Sequence, residues 1–301
     1  MPVSGKRGED MSARHEPFRE IIDRFGRLLH CQKDVREELG PLDIPASPSE
    51  KDLLSGVPIV HAVRPSLFVP SFRLSAARVW PVLGGIFPDL QETLDRLERI
   101  LPEGEWLEQA LRALMHADAG AIGLAAKQSG TAPELLLLCL RSAWAPVMAA
   151  ARPALLNGIS MELWRRPYCP VCGSEPDMAV LENHPDPSEF LVSKSGEVWH
   201  HCPACLHRWR FVRVACPACG NLDHKQLTRF SAPDAPMEHI YACEACRRYL
   251  LCLDLVESGS RTDVDLAALE LVHLDAVAQS RGYAPLSSAP WTALGMDRQE
   301  S

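Results

Sequence analysis

Four C-x-x-C pairs lie in the C-terminal half of this 301-residue chain, at Cys169/Cys172, Cys202/Cys205, Cys216/Cys219 and Cys243/Cys246. Two cysteines at i and i+3 of a tight turn can face one ion, and two such turns close a tetrahedron of soft donors. Pro170, Pro203 and Pro217 preset φ in three of the turns, and Gly173 and Gly220 permit a positive φ just after the second ligand. A four-thiolate site suits zinc or iron. With every position filled by protein it leaves none for a reacting water, so its chemistry is structural or electron-transferring rather than hydrolytic.

The four pairs form an internal repeat. Each unit opens with CPxCG, continues for 29 residues (Cys172 to Cys202) or 23 (Cys219 to Cys243), and ends in a second C-x-x-C followed by an aromatic residue, Trp209 or Tyr249. Ten residues separate Cys205 from Cys216. The simplest reading pairs the knuckles in sequence, one metal per unit; an interleaved pairing is the topological alternative. A unit of about 40 residues is too small for a sizeable core, so metal binding supplies much of its folding energy. A Cys→Ser change is therefore expected to destabilise its own ribbon more than the helical half. Disulfides are disfavoured by the odd count of 11 cysteines and by a polar N-terminus without the apolar centre of a signal peptide. A redox-active C-x-x-C would need a thioredoxin-like βαβ context, which the sequence does not offer. Cys31, Cys139 and Cys252 read as ordinary thiols, and His200, His201 and His207 as neighbours of the second knuckle rather than ligands.

The first half must carry these turns on helices. Apolar residues recur with helical period at Phe18, Ile21, Ile22, Phe25, Leu28 and Leu29, at Leu90, Leu94, Leu97 and Leu101, and at Leu107, Leu111, Leu114 and Met115. Thr131-Ala-Pro-Glu134 has the form of a capping box, and the LLLLCL after it, apolar on all sides, predicts a helix at the centre of a bundle. That apolar stretch is interrupted by Arg141, Arg152 and two prolines, which argues against membrane insertion. LGPLDIPASPSE and VRPSLFVPS read as linkers. Past Trp164, short runs such as EVWHHC, RWRFVRVAC, HIYAC and RYLLCLD read as strands. Leu266, Leu269, Val272 and Val277 then mark one side of a last helix, with Thr262 as its N-cap. The expected fold class is α+β: an all-α N-terminal domain over 15–163, a first rubredoxin- or zinc-ribbon-like unit over 164–213, a second over 214–257, a C-terminal helix over 258–284 and a loose tail over 285–301.

Trp199, Arg208, Trp209, Arg210 and Arg213 form the best candidate for a partner-binding face. Nucleic acid is a disfavoured partner. The net charge is -8, and residues 165–254 hold ten Lys and Arg against eleven Asp and Glu before any thiolate is counted. A protein or peptide partner fits better, and a homodimer remains compatible. No Walker loop, GxGxxG, GxSxG or HExxH is present, so no catalytic residue is assigned.

RRPYCPVCGSEPDMAVL, WHHCPACLHRWRFVRVACPACGN and YACEACRRYLLCLDL, in that order behind a helical half, resemble the formate dehydrogenase accessory protein family, FdhE. The resemblance runs from about residue 20 to Pro290. It implies a cytoplasmic, non-catalytic, chaperone-like maturation factor for respiratory formate dehydrogenase. Such a factor contacts the molybdenum- or tungsten-containing catalytic subunit around its export by the twin-arginine route. It also implies a rubredoxin-like C-terminal region holding two iron ions, with zinc as the alternative, on the eight cysteines above. Leu206 and Arg247 depart from the pattern, standing where a rubredoxin knuckle has glycine. A rubredoxin-like electron carrier in cofactor maturation is the second reading, and a nucleic-acid-binding zinc ribbon the third.

Overall fold

The structure, a computed structural model, describes residues 16–45, 48–162, 164–183, 196–232, 235–256 and 263–292. Its contacts divide the chain into two compact units: a helical unit of residues 27–174 with 202–209, and a sheet unit of residues up to 26, 175–201 and from 210 onward. The boundary differs from the tandem-ribbon division expected over 164–213 and 214–257. The cysteines of the first repeat fall in the helical unit, whereas most of its strand residues fall in the sheet unit.

The helices are α1 (Arg19–Leu39), α2 (Glu50–Ser55), α3 (Val69–Ile86), α4 (Gln91–Ile100), α5 (Gly104–Met115), α6 (Ala119–Ser129) and α7 (Pro133–Leu155). All but the first turns of α1 belong to the helical unit. The periodic leucines do what their spacing predicts: Leu90, Leu94, Leu97, Leu107, Leu111 and Met115 are buried. Each such side chain contributes about 1.5–3 kcal/mol by leaving water. α7 is central, with Leu136, Cys139, Leu140, Ala143 and Val147 all buried. It also receives two side-chain hydrogen bonds from α3, Ser75 Oγ to the Ala143 carbonyl at 2.6 Å and Trp80 Nε1 to the Cys139 carbonyl at 2.9 Å. α7 is long and apolar enough to cross a membrane, but 67% of its most apolar window is buried, as suits a core helix.

Two local expectations are corrected in this unit. The capping box does not form: the Thr131 N–H closes α6 onto the Ala126 carbonyl, and the Thr131 hydroxyl meets Ser129 Oγ at 2.9 Å. The N-cap therefore falls on Ala132, with Pro133 in the first turn. VRPSLFVPS is no linker, because it turns directly into α3 and buries Phe68 edge-on to Trp144 at 4.8 Å.

The strands are β1 (Met178–Glu182), β2 (Glu197–His201), β3 (Arg208–Arg210), β4 (Leu227–Ala232), β5 (Ala235–Cys243), β6 (Arg248–Asp254) and β7 (Ala284–Pro285). They form one sheet in the order β3-β2-β1-β6-β5-β4, with β7 pairing β6. β1 runs antiparallel to β2 but parallel to β6, with Ala179 opposite Cys252, so the two repeats share a sheet. The expected single C-terminal helix is broken into α8 (Val264–Glu270) and α9 (Val272–Ser280). Asp263 caps α8; Thr262, the predicted cap, lies outside the described residues. Val277 is exposed rather than on the buried side, which the break at Leu271 explains by resetting the helical phase. The stretch from 285, expected to be loose, is packed as far as 292, with Leu286 and Trp291 buried. Residues 293–301 lie outside the described residues.

Candidate metal centres

Each of the four knuckles closes with the same backbone hydrogen bond. The N–H of the residue after the second cysteine reaches the carbonyl of the first: Gly173 to Cys169 at 2.9 Å, Leu206 to Cys202 at 2.9 Å, Gly220 to Cys216 at 2.9 Å and Arg247 to Cys243 at 2.8 Å. That bond requires a left-handed residue. Gly173 and Gly220 take it at φ 79° and 72°, and Leu206 and Arg247 take it at 57° and 56°. The two non-glycine residues keep the geometry at about 1–2 kcal/mol each. Neighbours stabilise both. Arg152 of α7 donates to the Leu206 carbonyl and, at 3.3 Å, to that of Cys205. Arg247 donates to Glu244 at 2.6 Å and to the Arg281 carbonyl at 2.6 Å, and its guanidinium lies 3.8 Å from the centre of the Tyr283 ring.

These turns bring the sulfurs together in sequence order. Cys169, Cys172, Cys202 and Cys205 form one group and Cys216, Cys219, Cys243 and Cys246 the other, each set lying within 4.8 Å. The interleaved alternative is thereby excluded. Sγ separations are 3.5 Å (Cys169–Cys205), 3.4 Å (Cys172–Cys202), 3.6 Å (Cys216–Cys246) and 3.8 Å (Cys219–Cys243). A tetrahedron with metal–sulfur bonds of about 2.3 Å has edges of about 3.8 Å, so both groups fit a four-thiolate ion with little adjustment. A disulfide needs about 2.05 Å, and all eleven cysteines are free. Among the described residues no histidine joins either group, and neither Cys31, Cys139 nor Cys252 does.

The sulfur electrostatics point the same way. In the first group, burial pushes Cys202 and Cys205 well up, while hydrogen bonds led by that of Cys169 hold Cys172 well below the usual thiol range. In the second, burial pushes Cys216 up to about 12. Burial also acts to raise Cys243, but the N–H groups of Cys246 and Ala245 and the Asn221 amide outweigh it and bring Cys243 down to about 7. A bound cation among the sulfurs would favour their thiolate forms. Each bound ion would supply cross-linking of two distant turns and, were it iron, a one-electron couple.

Several contributors had no signal in the cysteine spacing. The amides of Ile59 and Val60 donate to the carbonyls of Pro170 and Val171 at 2.8 and 2.9 Å, so the first knuckle is bolted to the helical unit. A Cβ on Gly173 would stand 3.1 Å from Pro58 Cγ, a second reason for glycine there. Ser174 Oγ lies 3.4 Å from Cys172 Sγ, and the Asn221 amide donates to Cys243 Sγ at 3.8 Å; each follows a CPxCG turn directly. His207 is pushed down to about 4 by burial and by Arg152, against the pull of Cys172.

The proposed partner residues differ in their exposure. Trp209 is buried, its indole donating to the Arg166 carbonyl at 3.0 Å, because it alternates with Arg208 and Arg210 along β3. Trp199 is half-buried, Arg210 is half-buried and paired with Glu197, and Arg208 and Arg213 are exposed.

No family model matches the chain. It is 26% identical over 214 residues to a protein named FdhE homolog from Aquifex aeolicus, a match covering 71% of each chain. It is also 26% identical over 213 residues to a protein of the same name from Shewanella baltica strain OS185, covering 69% of this chain and 64% of that one. This chain resembles the FdhE proteins. The crystal structure of the FdhE protein from Pseudomonas aeruginosa has the same fold, with a TM-score of 0.58 at 21% identity, over 94% of this chain and 92% of that one. The likeness in fold thus covers most of the chain.

Proposed function

We propose that this protein is a non-catalytic maturation factor for respiratory formate dehydrogenase, acting in the cytoplasm on the enzyme's catalytic subunit. The observation that carries this reading is the pair of closed four-cysteine groups in a chain similar to FdhE proteins. A site with four protein ligands stabilises a shape and offers no open position for a substrate. The eight cysteines hold two ions, iron being favoured by the family resemblance and zinc being the alternative. The test is co-purification of the full-length, metal-loaded protein with the catalytic subunit before and after cofactor insertion. Capture of at least one form is expected; failure with both would remove the reading.

A specific observation favours a second reading for one centre. Cys219 is exposed, so an iron in the second group would sit at a surface where an electron can leave. An electron-carrying role predicts a reversible visible absorption change in anaerobically purified protein. A zinc-only preparation with full maturation activity would remove it.

A further inference from the structure

Between β3 and β4 the chain runs without helix or strand until the short turn at His224–Gln226. It lies against a sheet face that carries the buried apolar cluster of Ala179, Leu181, Val198, Leu250 and Cys252. A cavity of about 250 Å³ separates residues 211–218 from part of that face, with Ala179, Val198 and Leu250 in its lining. Space that no side chain fills takes packing contacts away from the inner side of the segment, so dispersion holds it only weakly.

The two ends of the segment are fixed. The Phe211 N–H donates to the Val198 carbonyl at 3.0 Å, and its ring stacks on His200 at 4.5 Å. Arg213 acts electrostatically on Tyr241 and Cys252. At the far end the Gln226 carbonyl accepts from the Glu244 N–H at 2.8 Å. The middle is different. Among the described residues, the backbone hydrogen bonds of 214–222 are internal: Cys216 N–H to the Asn221 carbonyl and Gly220 N–H to the Cys216 carbonyl, both 2.9 Å. Its side-chain polar contacts run to the adjoining Asp223 and Gln226 and to the sulfurs of Cys243 and Cys246. Ala218, Cys219, Gly220 and Leu222 are exposed, and a Cβ on Gly220 would meet nothing within 4 Å. The matching Gly173 of the first repeat is hemmed in by Pro58. What ties 214–222 to the sheet is therefore the sulfur cluster.

We propose that residues 214–222 form a strap and that an ion on Cys216, Cys219, Cys243 and Cys246 is its latch. With a soft divalent cation bound, the strap is pinned over the sheet; when the ion leaves, the strap swings free and uncovers the apolar face. Release is ligand exchange without electron transfer: the metal–sulfur bonds break, the ion passes to a competing ligand, and the sulfurs take up protons from water as they leave it. The exposed Cys219 gives a competing ligand its point of entry. The first centre has no such strap, because the amides of Ile59 and Val60 hold its first knuckle whether or not an ion is bound. The inference stands independently of the maturation role.

The test follows hydrogen exchange and the binding of a fluorescent apolar dye in full-length, metal-loaded protein. One metal equivalent is withdrawn with a chelator and then returned as zinc. On withdrawal the amides of 214–222 should exchange about tenfold faster or more, dye binding should rise, and β5, β6 and α7 should keep their protection. Returned zinc should reverse both changes. Cys219→Ser, which lacks one latch ligand, should show the same release with no chelator present. Unchanged exchange at 214–222 in the variant or the chelated protein would overturn the proposal. So would loss of protection across β5 and β6 together, because the ion would then hold the whole sheet and not a strap. Faster exchange without added dye binding would show that no apolar face is uncovered, and would overturn it as well.

Discussion

In the centre of Cys169, Cys172, Cys202 and Cys205, three residues are buried and Cys172 is half-buried; in that of Cys216, Cys219, Cys243 and Cys246, two are buried, one is half-buried and Cys219 is exposed. The turns themselves do not explain this. All four close with the same hydrogen bond and the same left-handed residue. The difference lies in what covers them. The first centre gives its Pro170, Val171, Cys205 and Leu206 carbonyls to Ile59, Val60 and Arg152 of the helical unit. The second has its support from Glu244, Arg281 and Tyr283 of the sheet unit, which hold Arg247. A repeated knuckle can thus be a core element in one place and a surface element in another, depending on which unit absorbs it.

The sharpest way to break the comparison is to remove one ligand from each centre. Cys205→Ser should cost one metal equivalent and lower the Tm by about 10 °C or more, since the site's folding energy is shared with the helical unit. Cys219→Ser should cost one metal equivalent with a smaller fall. This revises, for the first centre, the expectation that a Cys→Ser change destabilises its own ribbon more than the helical half, because Cys169, Cys172, Cys202 and Cys205 lie in the helical unit. Equal Tm losses, read by differential scanning calorimetry, would show that exposure does not set the energetic role. Under a chelator, the second centre should lose its ion first, by about tenfold in rate, because solvent reaches Cys219. Simultaneous loss of both ions would contradict it.

Smaller changes sharpen the same contrast. Arg152→Leu should cost about 1.5–3 kcal/mol through lost charge-assisted bonds to the Cys205 and Leu206 carbonyls, and leave metal in the second centre untouched. Denaturant unfolding with metal analysis checks both halves of that statement.

A pH arm is specific to the sheet unit. Burial pushes Asp275 up to about 7 from 3.8, although the Tyr249 hydroxyl bonds it at 2.7 Å and pulls the other way. Between those values the folded chain holds a proton that the unfolded chain has released. Its contribution to stability therefore falls as pH rises through this window, and the loss is complete above about 7. Asp275→Asn should raise the Tm at pH 8 by a few degrees, with no such gain near pH 4; a gain independent of pH would refute the assignment.

Smallest of all, Leu206→Gly should be neutral to stabilising by about 0.5 kcal/mol, since relief of the left-handed strain roughly offsets the added unfolded-state entropy. Arg247→Gly should destabilise, because it also removes the contacts to Glu244, Arg281 and Tyr283. Equal effects of the two substitutions on denaturant midpoints would mean that these side-chain contacts are idle.

Local features were legible from residue types. Gly173 and Gly220 announced left-handed turns, and Leu94, Leu97, Leu107 and Leu111 a buried helical stripe. Trp209 was misplaced on a binding face because RWR carries two charges, and alternation along a strand hides the residue between them. Thr131 looked like a cap because the pattern TAPE does not reveal that the preceding helix would claim its N–H.

What the amino-acid order determined by itself is the set of eight candidate ligands, their grouping as turns, and the helical character of the first half, since an i, i+3 turn and a 3.6-residue period are short-range consequences of covalent geometry. What tertiary structure decided is that β1 pairs in parallel with β6, that the first four cysteines join the helical unit, and that Cys219 alone among the ligands is exposed. Those outcomes depend on which distant surfaces leave water together, and residues as far apart as Ile59 and Pro170 carry no mark of their pairing in spacing or composition.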